Sequence, residues 1–409
     1  MYEKLSKLYY KLDSEKFRDE LNKRLNCYGA YRTNLVIKGF RKGKNTKDEF
    51  ELFYVNVPEL MKLNNSVLKN SAHITTLIHR LPEFVLQPYF YKLIINEAQS
   101  NNEIEGVKST KRELGEALSQ ISKGESKNKR FLGLMKTYLH INEIPKFKRV
   151  EDFRTLYDQL VSEEIEPDDK PDGELFRTKY VEVNDGTMTT HIGMSGEQSI
   201  AQALQQLILY LQNETQPDLY KYMVAHYYYE YIHPFYDGNG RTGRLLVGSY
   251  LARYLEKYSA ITFSYAVNKN KNKYYKALEE IPHPLNKGEI TFYLMDMLEL
   301  LAEGQRGIIE DLEVNLFKLQ KIDEFIASNQ SLTSDDMKRV FYILLTINVF
   351  VSDTVQLGVR ELMGITKRSR YKLKPILDQL IQLGYIEEVN KNPLQYKVVE
   401  EFLDEILPM

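Results

Sequence analysis

The chain has 409 residues, 43% of them hydrophobic and 27% charged, which is more than one core can comfortably serve and points to a globular protein of two or three domains. With 55 Lys and Arg against 57 Asp and Glu, the formal charge of -2 excludes a chain-wide nucleic-acid footprint and leaves room only for a local basic patch. Cys27 is the single cysteine, so neither an intramolecular disulfide nor a cysteine-rich zinc site can form; a reducing, cytoplasmic setting is expected. The first residues lack the pattern of a secretory signal, and no run of about 18 apolar residues marks a membrane partner.

Up to about Asn70 the chain reads as mostly helical, without a catalytic pattern. Pro88 can open a helix over 89–104, where Leu93, Ile94, Glu97 and Ala98 follow at helical spacing, and Glu105-Gly106 supplies a stop. Helical patterns continue over 111–121, 130–141 and 150–162. They are broken by β-prone runs at 178–183 and 187–192, joined by Asn184-Asp185-Gly186, a hairpin signal. Helices resume at 199–211, 218–232 and 241–257, and a long one runs from beyond Glu289 to about Ser328. Three short helices (337–350, 358–364, 368–383) then precede a strand, a turn and a strand (385–389, 390–393, 394–399), the order of a winged helix-turn-helix. The expected class is mainly α, partitioned into an N-terminal helical region (1–88), a helix (89–106), a core (107–305), a linker helix (306–330) and the winged helix-turn-helix domain (331–409).

The stretch from His233 to Arg244, HPFYDGNGRTGR, carries the chemistry. Gly238 and Gly240 flank Asn239 just before a helix, so backbone N–H groups can converge on an anion at a helix N-terminus. Arg241 and Arg244, three apart on the first turn, can both reach a polyphosphate. Asp237 beside such a phosphate calls for a cation between them, and Mg²⁺ is the expected one. His233 can act as general base toward an attacking hydroxyl, a role worth roughly 10²- to 10⁴-fold. The other histidines, His191 and His226 among them, show no ligand spacing and read as structural.

These twelve residues resemble the Fic signature (histidine, x, phenylalanine, x, acidic, glycine, asparagine, glycine, arginine, x, x, arginine) at each fixed position. The resemblance covers roughly 89–301. It implies the Fic helical fold and transfer of AMP from Mg-ATP to a Ser, Thr or Tyr hydroxyl of a protein target. By position, His233 would be the base, Phe235 the loop anchor and Asp237 the Mg²⁺ ligand. Gly238, Asn239, Gly240, Arg241 and Arg244 would hold the triphosphate. The 184–186 hairpin resembles the flap that holds a target by strand pairing. Val267, Asn270, Lys271, Tyr274, Tyr275 and Leu278 resemble the segment that helps bind adenine and ribose, with lysine for arginine at 271.

Many Fic proteins carry an upstream inhibitory helix ending in Ser/Thr, three residues, Glu, then Gly or Asn. Here Glu105-Gly106 matches, Asn101 stands at the Ser/Thr position, and Ser100 lies one residue further back. The resemblance implies that Glu105 pairs with Arg244 and inhibits the enzyme, and that the same glutamate can support removal of AMP. Near the C-terminus Lys367, Arg368, Arg370, Lys372 and Lys374 place a basic cluster on the expected recognition helix, which leaves DNA binding, docking of a protein partner and a homodimer all open. The competing reading of the whole chain is a DNA-binding regulator whose Fic domain only senses nucleotide.

Overall fold

The computed structural model describes residues 2–124, 130–161, 163–184, 186–351, 357–391 and 394–407. Asp185 of the expected hairpin turn, Asn392 and Pro393 of the expected C-terminal turn, and Ser162 lie outside the described residues. In chain order the elements begin with α1 (Leu5–Leu8), α2 (Ser14–Asn26), β1 (Ala30–Arg41), β2 (Lys44–Val55), α3 (Pro58–Arg80) and α4 (Glu83–Ile104). Next come α5 (Lys111–Ser122), α6 (Leu132–Leu139), α7 (Glu151–Leu160), β3 (Glu182–Asn184), β4 (Thr189–Ile192), α8 (Glu197–Leu211), α9 (Asp218–Ile232) and α10 (Asn239–Tyr254). The chain continues through α11 (Lys257–Ala260), α12 (Phe263–Lys269), α13 (Lys271–Glu280), α14 (Thr291–Ser328) and α15 (Asp335–Phe350). It closes with β5 (Leu357–Gly358), α16 (Val359–Thr366), α17 (Arg370–Gln382), β6 (Ile386–Lys391), β7 (Leu394–Val398) and α18 (Glu400–Ile406). The protein is mainly helical, with small antiparallel sheets.

Two compact units result, Met1–Ala72 with Leu93–Ile308, and His73–Lys92 with Ile309–Met409. A partition of the chain into consecutive segments has no way to anticipate that 73–92 belongs with the C-terminal residues. In the first unit α9 and α10 form the centre. Residues 239–252 of α10 are all buried, as are most of α9, among them Tyr220, Tyr222, Tyr227, Tyr228 and Tyr229. A helix surrounded by protein needs no polar face, which is why these two show little amphipathic pattern. These five tyrosines are core material rather than offered hydroxyls.

The expectation of a mostly helical start is overturned by β1 and β2. They form a long antiparallel hairpin from Ala30 opposite Val55 to Arg41 opposite Lys44, with register shifts between Arg32 and Val36 and between Lys38 and Phe40. Thr33, Leu35 and Ile37 alternate inward, and Lys42 and Gly43 both take positive φ (51° and 75°), as a tight mirror-image turn requires. The charged residues on the exposed face masked the alternation, and Lys-Gly is a weaker turn signal than Asn-Gly. The hairpin is fastened to the body by Ile290 N–H donating to Phe53 O (2.8 Å), Phe40 N–H to Pro282 O (2.8 Å) and Lys38 N–H to the Tyr231 hydroxyl (2.9 Å). Pro88 also departs from expectation, because α4 starts at Glu83 and carries the proline inside.

In the second unit β5, β7 and β6 pair antiparallel in that order, and Phe325, Phe341, Tyr385 and Phe402 pack their rings together with Leu344, Leu373, Leu377 and Leu380. Pro375 lies within α17.

Candidate active site

α9 ends because His233 turns left-handed (φ 51°, ψ 64°), a conformation that a non-glycine residue keeps only when its surroundings hold it. Arg177 does the holding. Its buried guanidinium donates from Nε to His233 O (2.8 Å), from Nη1 to Lys179 O (2.6 Å) and from Nη2 to Ile232 O (3.5 Å). Phe235 is fully buried and stacks on Tyr157, ring centroids 3.7 Å apart. The Asn239 side chain staples the loop, accepting from Phe235 N–H (2.9 Å) and donating to Phe235 O (2.8 Å). That leaves the backbone, not the side chain, of Asn239 for an anion. Gly238 adopts φ 82°, and a Cβ there would stand 2.9 Å from Val161 Cγ2. Thr242 N–H bonds Gly238 O (3.0 Å), so the N–H groups of Asn239, Gly240 and Arg241 precede the intrahelical ladder and form the anion-seeking end of α10.

A cavity of about 160 Å³ meets this loop, and its wall includes His233, Gly240, Arg244, Glu105, Tyr274 and Tyr275. Residues more than a hundred positions apart in sequence thus share one space. Arg244 is buried and satisfied by α4: Nη2 donates to Glu105 Oε1 (2.6 Å) and Asn101 O (3.3 Å), and Nε to Asn101 Oδ1 (2.6 Å). Burial disfavours the cation, but the Glu105 carboxylate more than offsets it and raises its pKa. Asn101 turns its amide to the Tyr138 hydroxyl (2.8 Å) and to Arg241 O (3.2 Å), so asparagine fills the place of the expected Ser/Thr with four polar contacts. Glu105 also covers the N-terminus of α10, its Oε1 lying 2.2 Å from where a Gly240 Cβ would be.

Arg241 faces elsewhere. It pairs with the largely buried Glu164 (2.8 Å) and lies 3.8 Å from Asp237, so the two arginines engage different partners in this structure. Asp237 is half exposed and accepts from Gly238 N–H (2.6 Å) through Oδ1. Tyr274 gives its hydroxyl to His226 Nε2 (2.8 Å), whereas Tyr275 OH and Lys271 Nζ donate to Ile104 O (3.2 Å) and Glu103 O (2.8 Å) at the end of α4. The segment expected at the nucleotide therefore also grips the expected inhibitory helix. Burial, with His191 and Arg177 nearby, pushes the His233 pKa well down, leaving a neutral ring at neutral pH.

Sequence reasoning missed Arg177 and Glu164, which carry no local signal, and it set aside His191 and His226. The His191 ring stands 6.1 Å from that of His233, and its Nε2 lies 2.8 Å from Tyr231 O.

The site thus joins a left-handed histidine, the N-terminus of a helix and an arginine that faces the same cavity. Residues 147–251 match the family model described as Fic/DOC family, and the protein contains a Fic-type domain. A Fic family protein from Desulfovibrio desulfuricans G20, 17% identical, has a TM-score of 0.51 over 85% of this chain and 98% of its own, which shows a shared fold. A Fic domain containing signaling protein from Bacteroides thetaiotaomicron VPI-5482 is 18% identical, with a TM-score of 0.41 over 61% of this chain and 96% of its own. Fic-1 from C. elegans is 18% identical, with a TM-score of 0.41 over 62% and 71% respectively. Among the described residues no helix is long and apolar enough to cross a membrane.

Proposed function

We propose that the protein transfers AMP from Mg-ATP to a Ser, Thr or Tyr hydroxyl of a protein, itself included, and that Glu105 holds it inhibited. The observation that carries this reading is the Arg244–Glu105 pair at 2.6 Å over the N-terminus of α10. A carboxylate occupies the place where a terminal phosphate would be drawn, as expected of an enzyme kept off by its own helix. In the reaction the acceptor oxygen bonds to the α-phosphorus, its proton passes to the neutral His233 ring, and the bond to pyrophosphate breaks. Arg177 keeps that ring in place through the His233 and Ile232 carbonyls. The β3–β4 hairpin, whose His191 neighbours His233, is read as the flap against which the target strand pairs.

Asp237 fits Mg²⁺. Its half-exposed carboxylate has Arg241 no nearer than 3.8 Å, and Mg²⁺ is usually held by one or two carboxylates together with substrate phosphates. When bound, the ion would neutralise charge on the departing phosphates. The family resemblance extends the same reading to the reverse reaction, removal of AMP, with Glu105 supporting it.

A second reading rests on the C-terminal unit, which we read as a winged helix with α17 as its recognition helix. Arg370, Lys372 and Lys374 lie in the first turns of α17, and Tyr371 is 89% exposed. That face suits DNA phosphates or an acidic protein partner, and it favours a DNA-binding regulator with a nucleotide-sensing domain.

The test is incubation with Mg²⁺ and ATP labelled at the α or the γ position, on wild type and His233→Ala. Label from the α position alone, lost in His233→Ala while ATP binding persists, is the expected result. Label from the γ position would mean phosphate transfer. No label on self or on added proteins would favour the regulator.

A further inference from the structure

Glu230 lies on α9 one turn before His233, lines the same cavity, and takes no part in the chemistry described above. Its side chain is 14% exposed, and its buried Oε1 has no hydrogen-bond partner. An ionised carboxylate in that position would be costly, because it loses its hydration. The groups around it offset that cost only in part: Arg244 of α10 lowers the carboxyl's pKa through its charge, but its described hydrogen bonds go elsewhere. On its own helix, His226 Nδ1 stands 3.8 Å away, also without a partner, and burial with Arg244 nearby keeps that ring neutral. From α13 and α14, Tyr274 and Tyr293 face it with neutral hydroxyls. From α4, Glu105 adds a second negative charge that further disfavours ionisation of Glu230. The acid is built in rather than incidental: Gly243 of α10 admits it, since a Cβ there would stand 2.2 Å from its Oε1.

We infer that Glu230 sits in the pocket as a neutral carboxylic acid whose proton lets an anion stand beside Arg244, and that it donates a hydrogen bond to the terminal phosphate of the nucleotide. This rests on the nucleotide reading of the cavity. The anion is Glu105 in the inhibited protein and a nucleoside triphosphate in the active one. A phosphate carries more charge than a carboxylate, so its arrival tightens the hold on the proton. Burial and Glu105 already push the Glu230 carboxyl up to about 8. Rising pH strips that proton from the free protein, and binding must then recover it. Affinity for ATP therefore falls as pH rises, in a window where a phosphate with a second pKa of about 6 is already ionised.

The experiment measures ATP binding calorimetrically between pH 7 and 9 on the full chain carrying Glu105→Gly, where phosphate takes the place of the carboxylate, and on the same chain with Glu230→Gln added. Binding by Glu105→Gly should weaken about tenfold over that range, with protons taken up as judged from heats in two buffers of different ionisation enthalpy. Glu230→Gln should flatten the profile and abolish the proton uptake. Equal slopes in both proteins, or no proton uptake, would overturn the inference while leaving nucleotide binding intact. Should Glu230→Gln not fold, proton uptake by Glu105→Gly alone decides. No ATP binding at any pH would remove the nucleotide reading itself, and this inference with it.

Discussion

Replacing Glu105 with glycine removes one of the groups that satisfy Arg244 and should activate the protein. The Glu105 side chain is 26% exposed and makes its described ion pair with the nearly inaccessible Arg244, so the loss is local and the fold should survive. A hydrogen bond between ionised partners contributes about 1.5–3 kcal/mol, and the partial exposure of Glu105 argues for the lower end. That is the energy a terminal phosphate no longer has to match in competing for the guanidinium. About 1.5 kcal/mol corresponds to roughly tenfold in occupancy of the productive complex. Asn101 stays in place and keeps its hold on Nε of Arg244, so Nη2 should be freed while the guanidinium stays positioned. The assay is protein-bound label from α-labelled ATP, followed as an initial rate beside wild type. A rate unchanged within twofold, with ATP binding retained, would refute the reasoning and make Glu105 an ordinary helix end.

Three further outcomes follow from the same geometry. Arg177→Met strands the carbonyl of His233, an unpaired acceptor costing about 1–3 kcal/mol; kcat should drop at least about tenfold with the KM for ATP little changed, and an equal loss in both would argue against a positioning role. His226, fully buried and pushed down to about 3, excludes a proton that the unfolded chain binds below about 6.5, so stability should decline by up to about 1.4 kcal/mol per unit as pH falls from 6.5 towards 3. Thermal melts of His226→Asn should show a shallower acid slope than wild type; parallel slopes would place the proton elsewhere. Gly238→Ala combines a positive φ with a close approach to Val161 and should cost about 1–3 kcal/mol, read as a lower Tm, whereas an unchanged Tm would mean that the loop relaxes freely.

What could be read from the sequence was what the chain keeps together. The loop from His233 to Arg244 is contiguous, and the helices on either side were predicted to within a few residues: α9 spans the expected 218–232, and α10 starts two residues before the expected 241. The glycines and the asparagine declare a strained turn whatever surrounds it. The groups that set the chemistry of those residues come from elsewhere in the chain, and nothing local marks them. Arg177 reaches the His233 carbonyl from 56 positions upstream, and Glu164 reaches Arg241 from 77. Each sits in a stretch with no pattern of its own.

Asn101 shows how far a side chain's role depends on its neighbours. By residue type it departs from the Ser or Thr of the resembling motif, and on sequence grounds that weakened the match. In the fold a hydroxyl could accept from Arg244 Nε, but it could not also direct two N–H donors to the Tyr138 hydroxyl and to the Arg241 carbonyl, as the amide does. Asparagine thus ties α4 to α6 and α10 at once. The helix that carries Glu105 is held at its end by Lys271 and Tyr275 as well, from the segment that lines the cavity. Whatever enters the cavity and moves those side chains also loosens α4, and by linkage whatever displaces α4 changes the affinity for what enters. On the proposed reading, inhibition and nucleotide binding would be one equilibrium read at two places.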